Sequence, residues 1–129
     1  MRVATRLHEL GLIAALTLQG GPAAADDLLG DSAKGQAIFE SVCVACHALD
    51  RNRVGPRLGG VIGRPAGSVP DFNYSQALRE AGFVWDEALV ERWLTNPQAL
   101  LPGQRMNIRV SQAQNRADVI AYLKTTAGD

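Results

Sequence analysis

The sequence predicts a small all-α domain of about four to five helices joined by long loops. Several segments carry apolar residues at helical spacing behind polar capping residues, whereas runs that alternate apolar and polar side chains are few. Much of the remaining chain is rich in glycine and proline, which favour turns over regular structure. Loops this long in so small a domain indicate that they wrap around something.

The N-terminus is expected to be a cleavable secretory signal peptide. Arg2 and Arg6 provide a basic start, and the apolar stretch over residues 10–18 is too short to span a bilayer. Three alanines, ending at Ala25, offer a cleavage site. We therefore expect a signal at residues 1–25, a domain at residues 26–129 and no membrane anchor after cleavage. The alternative is an uncleaved anchor.

The first helix is predicted over residues 31–42, where Asp31 or Ser32 can cap the N-terminus. The helix would deliver Cys43 at its C-terminal end. The segment over residues 50–69 contains many glycines and two prolines, so it is expected to be a loop.

Two further helical segments are predicted in the middle of the chain. A short helix is expected over residues 75–80. Another follows Trp85 and has Asp86 as a plausible cap, until Asn96 and Pro97 end or interrupt it. This helix has an apolar stripe formed by Leu89, Val90, Trp93 and Leu94.

The last helix is predicted over residues 111–126, after a loop at residues 101–106. Ser111 and Gln114 have the spacing of a capping box. One stripe of this helix is expected to contain Ala117, Ile120, Ala121 and Lys124.

The run Cys43-x-x-Cys46-His47 is typical of a c-type haem attachment site. Two thiols about one helical turn apart can add to the two vinyl groups of one porphyrin. The histidine that follows is then held beneath the ring with its imidazole aimed at the iron. The motif predicts one covalent haem c through Cys43 and Cys46, with His47 as an axial ligand.

The cysteine pair has two other interpretations, a structural zinc site and a redox dithiol. A structural zinc site needs a fourth ligand. Beyond the motif, the only other histidine is His8, so a carboxylate or a second chain would have to supply it. A redox dithiol usually occurs among βαβ units, and few strand patterns are present here. A thiol–disulfide oxidoreductase without haem remains an alternative.

The second axial ligand is predicted by elimination. Beyond the signal, the chain contains one methionine, Met106, and one histidine, His47. Met106 lies in a loop after a Pro-Gly pair and not on an apolar helix face, which favours ligation over a role in the core. A His/Met iron has both axial positions filled, and this ligation raises the reduction potential. The expected function is therefore electron transfer, not catalysis.

Several motifs together resemble the class I, mitochondrial-type soluble cytochrome c family over nearly all of residues 31–126. Gly35 and Phe39 match the first-helix motif, in which the glycine lets the last helix approach closely. Val119 and Tyr122 match its contact positions in the last helix. The resemblance implies the class I cytochrome c fold, with its helices wrapped round one covalent haem.

The same resemblance implies further residues at the haem. The carbonyl oxygen of Pro56 would accept from the axial histidine, and Leu58 would pack on the haem. Arg64, Tyr74 and Trp85 would bond or shield a propionate.

The chain departs from the family pattern near the methionine. Trp93 replaces a tyrosine on the methionine side of the haem, Gln104 replaces a threonine, and Leu78 stands where a buried asparagine is frequent. The segment between His47 and Gly55 is also shorter. These changes are expected to alter the polar network around the Met106 ligand and the redox tuning.

The leading hypothesis is a periplasmic, monomeric, single-electron carrier that docks transiently on protein redox partners. Either partner could be a membrane respiratory complex or a soluble dehydrogenase. The formal net charge is zero, and nothing suggests nucleic-acid binding. A mild dipole is plausible between a carboxylate cluster at Asp86, Glu87 and Glu91 and the arginines that flank the two ligands: Arg51, Arg53, Arg57, Arg105 and Arg109.

Two alternative functions remain open for a haem-bearing chain. One is a dedicated electron-transfer subunit of a single oxidoreductase complex. The other is a gas-binding or peroxidatic haem protein, in which Met106 would have to be a labile ligand or a bystander.

Overall fold

The computed structural model describes residues 28–127, and the signal predicted at residues 1–25 lies outside them. The all-α prediction is confirmed, because the described residues form no strand and only one isolated antiparallel bridge, between Pro65 and Val84. A 3₁₀ turn over Cys43–Ala45 follows the first helix. The five α-helices of this described part of the chain are α1 (Ser32–Val42), α2 (Gln76–Arg79), α3 (Glu87–Thr95), α4 (Pro97–Leu100) and α5 (Ala113–Thr125).

The caps predicted for α1 and α3 are confirmed, and Ser75 also caps α2. The side chains of Asp31, Ser75 and Asp86 each accept hydrogen bonds from backbone N–H groups two or three residues further along the chain. Asn96 caps α4 in the same way, and Pro97 opens that helix, because proline has no N–H to leave unsatisfied there. The Asn-Pro pair therefore interrupts the helical segment instead of ending it.

The capping box predicted from Ser111 and Gln114 is wrong. The helix α5 begins at Ala113, and no side chain caps it. The backbone before α5 is held elsewhere, because Arg116 donates from Nη1 to the carbonyl oxygens of Val110 and Ser111 at 2.8 and 2.9 Å. Gln114 instead donates to the carbonyl oxygen of Leu29 and to the Asp118 carboxylate.

The core forms where α1 crosses α5, with α3 packed against α5. The rings of Phe39 and Tyr122 meet at this crossing with their centroids 5.4 Å apart. Gly35 is buried at the same crossing. The buried apolar cluster consists of Phe39, Val61, Trp85, Val90, Trp93, Leu94, Val110, Val119, Ile120 and Leu123.

The apolar stripe predicted for the last helix is only partly right. Ile120 is buried, but Lys124 is exposed and pairs with Glu87 of α3 at 2.7 Å. Ala117 and Ala121 are half-buried. The buried positions of α5 also include Val119, which the family resemblance named as a contact position, and Leu123, which neither the stripe nor the resemblance named.

The helices that the structure describes, within residues 28–127, are all too short or too polar to cross a membrane.

Candidate functional site

The loops and helices surround a cavity of about 420 Å³ with a mainly apolar lining. A cavity of this kind suits a large apolar cofactor held by a few polar groups. The ten residues predicted at the site all line it: Cys43, Cys46, His47, Pro56, Leu58, Arg64, Tyr74, Trp85, Trp93 and Met106.

The two thiols enter the cavity from the end of α1. The backbone N–H groups of Cys46 and His47 both donate to the carbonyl oxygen of Cys43, at 3.1 and 2.9 Å. This tight turn keeps both half-buried thiols and the imidazole against the same cavity. The spacing fits attachment of one porphyrin at two points on one edge.

The surroundings of the thiols differ from those of a metal cluster or a reactive dithiol. Within residues 28–127, no group of three histidine, cysteine or acidic side chains is arranged to hold a metal ion. Burial raises the pKa of the Cys43 thiol to about 11. A redox-active Cys-x-x-Cys pair needs the opposite shift, because the thiolate is the nucleophile.

The imidazole of His47 is oriented by a backbone carbonyl. Its Nδ1 lies 2.7 Å from the carbonyl oxygen of Pro56, which can only accept, so Nδ1 carries the proton. Burial lowers the pKa of His47, and the Pro56 bond partly offsets that shift. The neutral ring then has Nε2 available as a metal ligand.

Gly55 packs directly against the same imidazole. Its N–H donates to the carbonyl oxygen of Cys46 at 2.8 Å, which brings the backbone over the ring. A β-carbon at this position would lie 2.2 Å from Cε1 of His47. Only glycine therefore fits here without moving the imidazole.

Met106 lies in the loop after α4, and Trp93 of α3 reaches its sulfur. The indole Nε1–H of Trp93 donates to the Met106 Sδ at 3.1 Å. The ring of Trp93 is in turn fixed edge-to-face against Trp85, with centroids 5.2 Å apart. Gln104 bonds the backbone of Met106 on both sides of its α-carbon. Two of the residues that depart from the family pattern, Trp93 and Gln104, thus form polar contacts with Met106.

One wall of the cavity is polar. Arg64 donates from Nη1 to the carbonyl oxygen of Gly59 at 3.1 Å and from Nη2 to that of Arg57 at 2.7 Å. Burial lowers the pKa of Arg64, but arginine stays charged at any accessible pH. The hydroxyl of buried Tyr74 accepts from the N–H of Val69. A cation and a hydroxyl held in this way could bind a carboxylate.

Val54 and Ile108 are two of the lining residues that were not predicted at the site. Val54 is 78% exposed and Ile108 is 48% exposed, so both lie at the mouth of the cavity. Single apolar residues in loops carry no periodic signal, and only their positions near the Cys-His motif and Met106 could have suggested them.

Comparisons with known proteins agree with this geometry. The sequence model of a protein family described as Cytochrome c matches residues 32–127. The chain is 43% identical to cytochrome c2 of Rhodomicrobium vannielii over 103 residues, which cover 77% of this chain and 82% of that protein. It is 39% identical to cytochrome c of Chlamydomonas reinhardtii over 99 residues, covering 74% and 88% of the two chains.

A solved structure has the same fold. Cytochrome cH from Methylobacterium extorquens aligns with a TM-score of 0.71 at 41% sequence identity. The alignment covers 74% of this chain and 99% of the other.

Proposed function

Because this chain belongs to the cytochrome c family, we propose that it is a periplasmic single-electron carrier in which His47 and Met106 are the axial ligands of the haem iron. The cofactor is one haem c, attached covalently through Cys43 and Cys46, and the chain is an electron-transfer protein and not an enzyme. When bound, the haem supplies one iron that takes up and releases a single electron.

The observation that carries the ligand proposal is that one imidazole and one thioether line the same cavity as the two thiols. No other histidine or methionine occurs in residues 28–127. The Pro56 carbonyl holds His47 with Nε2 free, and Trp93 holds the sulfur of Met106. His47 and Met106 would then fill both axial positions of the iron, which suits electron transfer without ligand exchange.

The polar wall is proposed to hold the haem propionates. Arg64 has five N–H donors and uses one from each terminal nitrogen on backbone carbonyls, so others remain for a carboxylate. Tyr74 adds a hydroxyl, and Trp85, whose backbone N–H donates to the carbonyl oxygen of Arg64 at 2.9 Å, lines the same cavity. Leu58, which lines the same cavity, provides an apolar contact for the macrocycle.

The ligand proposal is tested by replacing Met106 with alanine in the matured protein. Met106→Ala should abolish the charge-transfer band of methionine-ligated ferric haem, open the sixth position to exogenous imidazole or cyanide and lower the reduction potential. Val84→Ala, an exposed residue outside the cavity, is the control and should keep the band. A Met106→Ala protein with the parent's six-coordinate spectrum and potential would overturn the proposal and leave a gas-binding or peroxidatic role open.

The periplasmic location is proposed from the signal-like residues 1–25 and tested by mass. The intact protein from a periplasmic fraction should weigh residues 26–129 plus one haem. A protein that retains residues 1–25 in the membrane fraction would contradict this location.

Transient docking is proposed from the charges around the cavity. The carboxylates Glu87 and Glu91 of α3 pair with Lys124 and Arg116 of α5, so part of the acidic cluster is neutralised within the protein. Within residues 28–127, no carboxylate lies within ion-pair distance of four arginines near the two ligands: Arg53, Arg57, Arg105 and Arg109. An acidic partner surface would complement them. Size exclusion of a native extract distinguishes a free monomer from a dedicated subunit.

A further inference from the structure

The carbonyl oxygens of the segment that carries the thiols and the imidazole have two kinds of donor. Within residues 43–49, backbone N–H groups donate to four of them, those of Cys43, Cys46, Ala48 and Leu49. Two others accept from a side chain, because Nη1 of Arg53 donates to the Val44 carbonyl oxygen and lies 3.4 Å from that of His47. An exposed arginine thus bonds the backbone of the attachment motif at two points.

The Val44 carbonyl lies at a place where the fold needs a donor. The helix α1 ends at Val42, and the 3₁₀ turn over Cys43–Ala45 continues from it. The last carbonyl groups of a helix lack partners inside the helix and carry partial negative charge, so a cation beside them is stabilising. Neither α1 nor the 3₁₀ turn has a basic residue in its last turn. Arg53 supplies that cation from the following loop.

The loop itself brings Arg53 back to the turn. The backbone N–H of Arg53 donates to the Gly55 carbonyl oxygen at 2.9 Å, and the N–H of Gly55 donates to the Cys46 carbonyl oxygen at 2.8 Å. The next residue, Pro56, bonds the imidazole of His47. The short segment between His47 and Gly55 therefore folds back on the motif, and the Arg53 guanidinium is held beside the carbonyl groups of the turn.

We propose that Arg53 is a positioning residue that closes the turn from Cys43 to His47 and fixes the backbone of the axial histidine. This inference rests on the proposed ligation by His47. The two thioether links fix the turn at its cysteines, whereas the His47 peptide is held by its bonds to the following loop. Without Arg53, the turn opens more readily at its histidine end.

The test compares the matured parent with Arg53→Leu by NMR in the diamagnetic ferrous state. The backbone N–H groups of Cys46 and His47 both bond the Cys43 carbonyl oxygen and so report on the closed turn. In Arg53→Leu they should exchange with solvent about fivefold faster, or about 1 kcal/mol. The ring resonances of His47 should also shift, because the ring moves with its backbone. An Arg53→Leu protein with the parent's exchange rates and ring resonances would overturn the proposal.

Arg51→Leu is the matched control for the loss of charge. Arg51 is an exposed arginine in the same loop, and its Nη1 bonds the carboxylate of the neighbouring Asp50 at 3.1 and 3.3 Å. Its replacement removes one positive charge without removing a bond to the turn, so the amides of Cys46 and His47 should exchange as in the parent. If Arg51→Leu had the same effect as Arg53→Leu, charge and not bonding would be responsible, and the proposal would fail.

A second variant covers poor maturation of Arg53→Leu. Lysine keeps a donor for the Val44 carbonyl oxygen but lacks the planar guanidinium that reaches two carbonyl groups together. Arg53→Lys should therefore mature, and its His47 amide should exchange faster than in the parent and more slowly than in any Arg53→Leu protein obtained. Exchange at the parent's rate in Arg53→Lys, where Arg53→Leu does not mature, would overturn the positioning role.

The parent spectrum tests the ligation separately. The ring current of the macrocycle should move the His47 ring protons of the ferrous parent far upfield if the imidazole lies beneath the haem. Without that shift the ligation proposal has failed, and the role of Arg53 fails with it. If the shift is present but the Arg53 variants match the parent in exchange and ring resonances, ligation stands and only the positioning role is overturned.

Discussion

A β-carbon on Gly35 would lie 1.9 Å from the backbone carbonyl oxygen of Asp118, so α1 and α5 cross with their backbones in contact. The same β-carbon would lie 2.9 Å from Cβ of Tyr122. The close approach is what lets the Phe39 and Tyr122 rings meet beside it. The crossing also aligns α1 so that its C-terminal end delivers the two thiols to the cavity.

Gly35→Val is expected to lower the melting temperature clearly while the visible spectrum stays near normal. The added side chain must push backbone apart, and overpacking of this kind typically costs about 1–3 kcal/mol or more. Thermal unfolding followed by circular dichroism measures the effect. Ala37→Val, on the exposed face of the same helix, is the matched control and should change the melting temperature little. Equal melting temperatures for Gly35→Val and the parent would show that the two helices do not cross here in solution.

Local signals in the sequence were enough to predict most helix boundaries. The caps Asp31, Ser75 and Asp86 act on N–H groups within their own turn, so their effect does not depend on the rest of the fold. The start of α5 could not be predicted in the same way. There, a bond from Val110 N–H to the Leu94 carbonyl and two bonds from Arg116 hold the preceding segment extended. These partners come from elsewhere in the fold, and they override the local capping pattern.

The residues of the cavity were also only partly predictable from the sequence. The spacing of the Cys-His motif, the lone methionine and the family resemblance were enough to name ten residues that line one cavity. The bond from Trp93 to the Met106 sulfur could not be predicted, because it depends on the angle at which α3 presents its indole. Arg116 was missed altogether. A charged residue on an amphipathic helix is usually solvated, whereas this one is only 9% exposed.

Arg116→Leu is expected to destabilise the protein by about 1–3 kcal/mol, because one buried carbonyl group and one partly buried carbonyl group would lose their donor. Arg116 bonds the carbonyl oxygens of Val110 and Ser111, and its Nε lies 2.7 Å from the Glu91 carboxylate. The Glu91 side chain is 44% exposed and would remain hydrated, so the lost ion pair adds little. Urea unfolding of the matured protein measures the difference.

Two further variants serve as controls for the Arg116 prediction. Arg92→Leu removes an exposed arginine from α3 and should change stability by no more than about 0.5 kcal/mol. Arg116→Lys keeps the charge but lacks the planar fork that reaches two carbonyls and the carboxylate together, so most of the loss should remain. A full recovery with lysine would mean that charge alone matters at this position.

Asp118 is expected to make stability depend on acid pH. The backbone N–H of Asp31 and then the side-chain amide of Gln114 donate to its carboxylate, both at 2.8 Å, and they lower the pKa of Asp118, with a smaller contribution from the Lys34 ammonium. An unfolded aspartate titrates near pH ~3.9. The stabilisation is therefore fully present above about pH 5 and is lost as the pH falls through the lowered folded value.

Asp118→Asn should remove this contribution, so the variant is less stable than the parent at neutral pH and the difference narrows below about pH 4. Urea unfolding at a series of pH values measures it. Asp71→Asn provides the control, because Asp71 is exposed and has a left-handed backbone conformation that asparagine also tolerates. If the difference between Asp118→Asn and the parent were constant across the acid range, the carboxylate would not be the source of the pH dependence.

Gly55→Ala is expected to disturb the proposed axial histidine. The new β-carbon would lie 2.2 Å from Cε1 of His47 and 2.6 Å from both ring nitrogens, so the imidazole must move away from it. That movement would stretch the 2.7 Å bond between Nδ1 and the Pro56 carbonyl oxygen, which sets the tautomer and basicity of the ring.

The expected results for Gly55→Ala are a lower yield of matured protein, shifted His47 ring resonances in the ferrous spectrum and a loss of about 1–3 kcal/mol of stability. Val84→Ala, at an exposed position outside the cavity, should leave the ring resonances and the yield unchanged. If Gly55→Ala kept the parent's His47 resonances and melting temperature, the backbone would not pack on the imidazole. The orientation of the ring would then depend on the Pro56 bond alone.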